Sequence, residues 1–139
     1  MKALSHLTGL ALEAKRLKCP TIPEFAIPKP KYCDKDANGL TNCIIDFLNI
    51  KGHYAVRINT GGIYDANIKG FRTSNTRLGT ADIIASINGR HVSIEVKINK
   101  DKQSPYQLDT QKDIEKDGGI YFVARSFQSF FDFYQTNLI

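Results

Sequence analysis

A chain of 139 residues, 42% hydrophobic and 24% charged, is long enough to bury one core and has the composition of an ordinary globular domain. No apolar run approaches the roughly 18 residues that span a bilayer, and no compact apolar stretch with a small-residue cleavage site opens the chain, which argues against a membrane span or secretory leader and for a cytoplasmic setting. Cys19, Cys33 and Cys43 are odd in number and match no common zinc spacing, so they read as reduced thiols.

The formal net charge of +5 suggests a polyanionic partner. Residues 1–31 hold six basic side chains against two acidic ones, whereas residues 32–139 hold thirteen against twelve. The basic excess therefore sits in the N-terminal segment. Within it, Met1, Leu4, Leu7, Ala11, Ala14 and Leu17 recur at three- and four-residue steps and predict an amphipathic helix over 1–18. Lys15, Arg16 and Lys18 fall in its last turn, where cations suit the helix dipole. Pro20, Pro23, Pro28 and Pro30 make residues 19–31 an extended arm, which would lie along a partner subunit, along nucleic acid or around its own domain.

Residues 32–38 are turn-like. A helix is expected from about Gly39 to Lys51, with Leu40, Cys43, Ile44, Phe47 and Leu48 as its apolar stripe and Gly52 as its stop. Tyr54 to Asn59 reads as a strand. Residues 63–79 carry Lys69, Arg72 and Arg77 among Gly, Asn, Ser and Thr and read as a polar loop; those cations would contact phosphates, or the loop is simply a solvated one.

Ala81–Ile87 and Arg90–Lys97 are β-branched runs separated by Asn88-Gly89, a pair that tolerates the positive φ of a type I′ hairpin turn. Counting outward from a two-residue loop, Ile87 pairs with Arg90, Ile83 with Ile94 and Asp82 with Glu95. Lys97, two residues beyond Glu95, projects from the same face. Two carboxylates and an ammonium thus converge at the open end of the hairpin. Like charges directly opposite destabilise a sheet. A hard divalent cation between Asp82 and Glu95 would explain the arrangement; otherwise Lys97 merely neutralises its neighbours on a solvated face.

Ser104-Pro105-Tyr106-Gln107 opens a helix running to about Lys116, with Ser as N-cap, Pro at the first position and Gln completing a capping box. Ile120–Ala124 is a continuous apolar run that fits a buried strand. Ser126 caps a last helix with Phe127, Phe130, Phe131, Tyr134 and Leu138 on one face, which serves as core or as a dimer surface. The order predicts an α/β fold with a mixed sheet, the hairpin at its centre and the 105–116 helix as crossover.

Gly79-Thr80-Ala81-Asp82, then Glu95-Val96-Lys97 after a hairpin, then Ser104-Pro105-Tyr106-Gln107 opening a helix, resembles the PD-(D/E)XK nuclease superfamily, in particular its VRR-NUC branch (virus-type replication-repair nucleases), which includes stand-alone phage proteins similar to Holliday junction resolvases. Gly52-His53-Tyr54 and Arg57-Ile58-Asn59-Thr60-Gly61 also look like that branch. The resemblance covers roughly residues 38–125.

It implies a restriction-endonuclease-like α/β/α core over 32–139, with the helix and Pro-rich basic arm of 1–31 appended. Asp82 and Glu95 would ligate Mg²⁺ or Mn²⁺, helped by the Val96 backbone carbonyl. Lys97 would orient the attacking water or stabilise charge on the scissile phosphate, and Gln107 would stand at the edge of the site. Arg57 and Asn59 would join Lys69, Arg72 and Arg77 as DNA contacts. The branch usually offers a further acid on its first core helix; the matching region here has no glutamate, so Asp36 is the candidate substitute, with Asp34 and Asp46 behind it. The function implied is a metal-dependent DNA endonuclease acting as a homodimer on branched DNA or Holliday junctions in replication, recombination or repair, from a phage or prophage. The alternatives are a catalytically decayed nucleic-acid-binding module of the same fold and a restriction-type endonuclease.

Overall fold

The computed structural model describes residues 2–58, 63–72 and 77–139, except for the side chains of Ile63 and Arg72. In chain order these form helix α1 (Ala3–Lys18), a single 3-10 turn (Glu24–Ala26), helix α2 (Ala37–Ile50), strands β1 (Tyr54–Arg57), β2 (Ile63–Asp65), β3 (Gly70–Arg72), β4 (Ile83–Ile87) and β5 (Arg90–Val96), helix α3 (Pro105–Lys116), strand β6 (Ile120–Ala124) and helix α4 (Phe127–Asn137).

The helix boundaries follow capping chemistry. Asp36 Oδ1 accepts the Gly39 N–H at 2.8 Å, so α2 begins two residues ahead of the Gly39 expected from the apolar stripe. Gly52 adopts φ +84°, which lets the His53 N–H reach back to the Leu48 carbonyl at 2.9 Å and closes α2. Reciprocal capping boxes start α3 at Ser104 and α4 at Ser126. Helix α1 has no side-chain cap of its own; its Ala3 N–H instead donates to Gln128 Oε1 of α4 at 2.9 Å.

Four strands form one mixed sheet in the order β1-β4-β5-β6. The β1/β4 and β4/β5 pairs are antiparallel, while β5 and β6 run parallel and are joined through α3. Asn88 and Gly89 take φ +50° and +76°, the positive values a type I′ turn requires. The pairs Ile87↔Arg90 and Ile83↔Ile94 have the register obtained by counting from that turn.

Strand alternation then separates two faces. Ile83, Ala85 and Ile87 of β4, with Val92, Ile94 and Val96 of β5, pack against Leu40, Ile44, Phe47 and Leu48 of α2 and against α4. Ala3 and Leu7 bring α1 into the same core. The other face lies under α3, whose Gln107 reaches Glu95 and whose Ile114 packs on Gly119. The result is a mixed α/β domain with helices on both faces of the sheet. No helix among the described residues is long and apolar enough to cross a membrane.

The folded chain alters some expectations and selects between alternatives in others. Leu17 is exposed because the last turn of α1 runs past the core. Of the courses open to the Pro-rich arm, the described contacts are with its own domain: Arg16 pairs with Glu24, and Lys15 Nζ donates to the Pro28 carbonyl at 3.4 Å. The strand expected over 54–59 ends at Arg57. Residues 63–79 are not all loop, since β2 and β3 pair as an antiparallel ribbon with Tyr64 opposite Phe71. Strands of three residues are too short to produce a period-two signal. The aromatic stripe of α4 is core: Phe127, Phe130 and Tyr134 meet Phe47 edge-on at centroid distances of 5.8, 6.0 and 5.0 Å. Phe47 is the common partner of these rings, so Phe47→Ala is expected to lower unfolding free energy by about 3–5 kcal/mol, measured by urea denaturation monitored by circular dichroism.

Candidate active site

The open end of the β4–β5 hairpin carries the charged groups. Asp82 lies one residue before the β4/β5 ladder, and its backbone carbonyl accepts the Ile58 N–H at 2.8 Å, which fixes it beside the end of β1. Its carboxylate crosses to β5, where Oδ2 accepts the Val96 N–H at 2.8 Å. Glu95 is almost completely buried, with 2% of its surface exposed. Its Oε1 accepts Gln107 Nε2 at 2.6 Å and lies 3.4 Å from Lys97 Nζ, while Oε2 is buried without a hydrogen-bond partner. Lys97 is buried too, and its ammonium is also 3.8 Å from Asp101 Oδ2.

Gln107 closes the helix cap and also reaches Glu95. Its Oε1 accepts the Ser104 N–H at 2.8 Å and its own N–H donates to Ser104 Oγ at 3.3 Å, closing the cap of α3. The same side-chain amide then uses Nε2 for Glu95. One carboxamide thus locks the start of α3 to the buried carboxylate.

Gly79 brings the segment before Asp82 against that helix start. It sits at φ +82°, and a Cβ there would lie 2.2 Å from the Tyr106 carbonyl oxygen, so only glycine fits. Arg77 makes an ion pair with Asp113 two turns further along α3. These two contacts hold residues 77–82 along α3 and aim Asp82 at β5.

The electrostatics follow from burial. Desolvation, and next the neighbouring Asp82 carboxylate, push Glu95 up from 4.5 to about 7, with Lys97 partly offsetting the rise. Tyr121 of β6 is a member of this site that the sequence did not single out. Strand alternation puts it on the Glu95 face, its buried hydroxyl has no hydrogen-bond partner, and burial followed by Glu95 raises it to about 12. The signal was the parallel pairing of β6 with β5, which a continuous apolar run conceals. Thr110 of α3 likewise buries an unpartnered Oγ1. The inner stripe of α3, formed by Gln107, Thr110 and Gln111, is therefore polar where it covers the sheet.

The remaining predicted residues fall elsewhere or are otherwise engaged. Asp36 caps α2, Asp34 Oδ2 accepts the Phe127 N–H at 2.8 Å, and Asp46 Oδ2 accepts the Tyr32 hydroxyl at 3.0 Å. Among the described residues no group of three or more His, Cys, Asp or Glu side chains is arranged to hold a metal ion. The structure thus brings Asp82 and Glu95 together but gives Asp36 the work of a helix cap. Arg57 donates from Nη2 to Asn38 Oδ1 at 2.5 Å at the N-terminal end of α2. Lys69 is exposed in the β2–β3 turn with φ +50°. Arg72 belongs to β3, and Asn59 lies outside the described residues. A cleft of about 600 Å³ lies between α1 and the Pro-rich arm, lined in part by Ser5, Thr8, Lys29 and Lys31, away from the carboxylates.

A scan against protein-family models finds no match for the chain, and neither does a search of curated proteins.

The raised Glu95 has a measurable consequence. Between about pH 4.5 and 7 the folded chain holds a proton that the unfolded chain has released, so this group lowers stability as pH rises through that window, and the loss levels off above it. His53, lowered by burial and then Lys51, changes stability in the opposite direction as it titrates. Comparing wild type with Glu95→Gln cancels the His53 contribution. Urea unfolding in EDTA at pH 5 and pH 8 should show wild type losing up to a few kcal/mol relative to the Gln variant at the higher pH.

Proposed function

We propose that this protein is a metal-dependent endonuclease that hydrolyses DNA phosphodiester bonds and acts on branched DNA. The observation that carries this reading is the buried Glu95 carboxylate, held on one oxygen by Gln107 and Lys97 and left with its other oxygen unpartnered beside Asp82. A second buried carboxylate oxygen without a donor is costly unless a cation or proton meets it. Two carboxylates with one orphaned oxygen suit a hard cation such as Mg²⁺ or Mn²⁺, which accepts oxygen ligands. The order of Asp82, Glu95-Val96-Lys97 and the Ser104–Gln107 helix start supports the same reading, as does its resemblance to VRR-NUC nucleases.

Asp82 and Glu95 would hold the ion, with the Val96 carbonyl as a further oxygen. When bound, it supplies polarisation of a phosphoryl oxygen and a water of lowered pKa. The chain's own residues prepare for this. The Val96 N–H fixes the Asp82 carboxylate through Oδ2. Gln107 anchors Glu95 through Oε1, while Oε2 stays without a hydrogen-bond partner. Lys97, a buried cation 3.4 Å from Glu95, donates to the attacking water or to a phosphate oxygen, stabilising charge that grows during hydrolysis. With Asp34, Asp36 and Asp46 each accepting a hydrogen bond elsewhere, a single ion suits this donor set better than a pair. A homodimer would supply the second site that two symmetric strand cuts need.

The test is incubation with labelled duplex, flap and four-way junction DNA in Mg²⁺ or EDTA. Mg²⁺-dependent cleavage of branched substrates is expected, with Asp82→Asn, Glu95→Gln and Lys97→Ala each reducing it about 100-fold or more. Thermal unfolding should show a Mg²⁺-dependent rise for wild type that Asp82→Asn abolishes. Absence of product from every substrate, together with no Mg²⁺ effect on unfolding, would instead identify a decayed binding module.

A further inference from the structure

The β2–β3 ribbon displays aromatic surface that the core does not use. Tyr64 and Phe71 face each other across the two strands with ring centroids 5.6 Å apart and planes inclined by 74°. They are 59% and 71% exposed, and Ile68 in the turn between them is exposed as well. A two-stranded ribbon has little stability of its own in water, and burying two such rings would have strengthened it. Instead the rings stand in solvent.

The charge of the ribbon is net positive. The sequence from Ile63 to Arg72 carries Lys69 and Arg72 against Asp65, whose Oδ1 accepts the Asn67 N–H at 2.9 Å within the turn. Lys69 is exposed at that turn.

In sequence the ribbon lies between two segments that are held at the candidate site. On one side the chain is tied where Ile58 bonds to Asp82; on the other, Arg77 and Gly79 dock on α3 next to Gln107. The described residues that precede and follow the ribbon are therefore both tied to groups around Glu95.

We propose that the β2–β3 ribbon binds unpaired nucleotides, stacking bases on Tyr64 and Phe71 while Lys69 meets the phosphate backbone. The proposal rests on the nuclease reading above and specifies its substrate as DNA with single-stranded character next to the cut. A duplex keeps its base faces stacked on each other, so exposed rings gain little from it, whereas an unpaired base offers a free π-face. Charge complementarity favours this occupant over a second copy of the chain, because an isologous pairing of ribbons would bring together two segments of net positive sequence charge, with Lys69 exposed in each.

The chain contains no tryptophan, so Tyr64→Trp introduces a single reporter. In EDTA, oligo(dT) should quench its emission, while an abasic oligomer of equal charge and a blunt duplex should not. In anisotropy titrations, Tyr64→Leu/Phe71→Leu keeps apolar bulk but removes the rings; it should weaken oligo(dT) binding about tenfold or more and duplex binding less than threefold. Tyr64→Phe/Phe71→Tyr, which preserves both rings, should bind as wild type does and controls for damage to the ribbon. Equal quenching by the abasic oligomer, or unchanged oligo(dT) affinity in the leucine variant, overturns the proposal. So does a loss of dimer mass in the leucine variant by sedimentation with binding otherwise intact, which would assign the rings to a second copy. Because every titration is made without metal, the two readings fail separately. Cleavage with no ring dependence of binding leaves the nuclease standing without this ribbon role, and ring-dependent binding without cleavage does the reverse.

Discussion

The hydrogen bond from Gln107 Nε2 to Glu95 Oε1 joins the two parts of the molecule on which the site depends. One end belongs to a hairpin strand at the centre of the sheet and the other to the first turn of the helix that covers it. Burying a carboxyl group is costly unless donors meet it; Gln107 and Lys97 meet one oxygen of Glu95, and the second is left buried without a partner. The same carboxamide closes the capping box of α3, so the geometry of the carboxylate and the start of the helix are determined together.

The surrounding structure keeps that bond in place. On the opposite face of the sheet, the rings around Phe47 and the aliphatic rows of β4 and β5 supply the apolar burial that a polar site cannot. On the α3 side the sheet is covered by amides and hydroxyls instead, including unpartnered buried oxygens on Thr110 and Tyr121. The domain thus has one dry layer that stabilises and one polar layer in which charge is held. Gly79 lets the segment that leads to Asp82 come into backbone contact with Tyr106 on the polar side, an approach no side chain would permit.

Motif order and local chemistry were legible because they depend on short-range rules. Asn88-Gly89 determines a turn, a two-residue turn determines register, and register determines which residues share a face; Asp82, Glu95 and Lys97 follow from counting. Ser104 and Gln107 announce a capping box in four residues. The polar segment 63–79 was less legible, since two three-residue strands leave no periodicity, and the exposure of Tyr64 and Phe71 is a property of where the ribbon stands rather than of its composition. The N-terminal helix was predicted from its stripe, yet nothing in residues 1–31 indicated that Ala3 would donate to Gln128 on the far end of the chain.

By itself the sequence determined the hairpin, its register, the capped start of α3 and the convergence of two acids with a lysine, because each arises from interactions between residues close along the chain. Only the tertiary structure decided how those groups are used. It buried Glu95, gave Asp82 to the Val96 amide, added Tyr121 through the parallel pairing of β6, and engaged Asp34, Asp36 and Asp46 in hydrogen bonds elsewhere. Burial and long-range pairing depend on what the rest of the chain places nearby, and a carboxylate's role follows from the donors and low-dielectric surroundings it meets there.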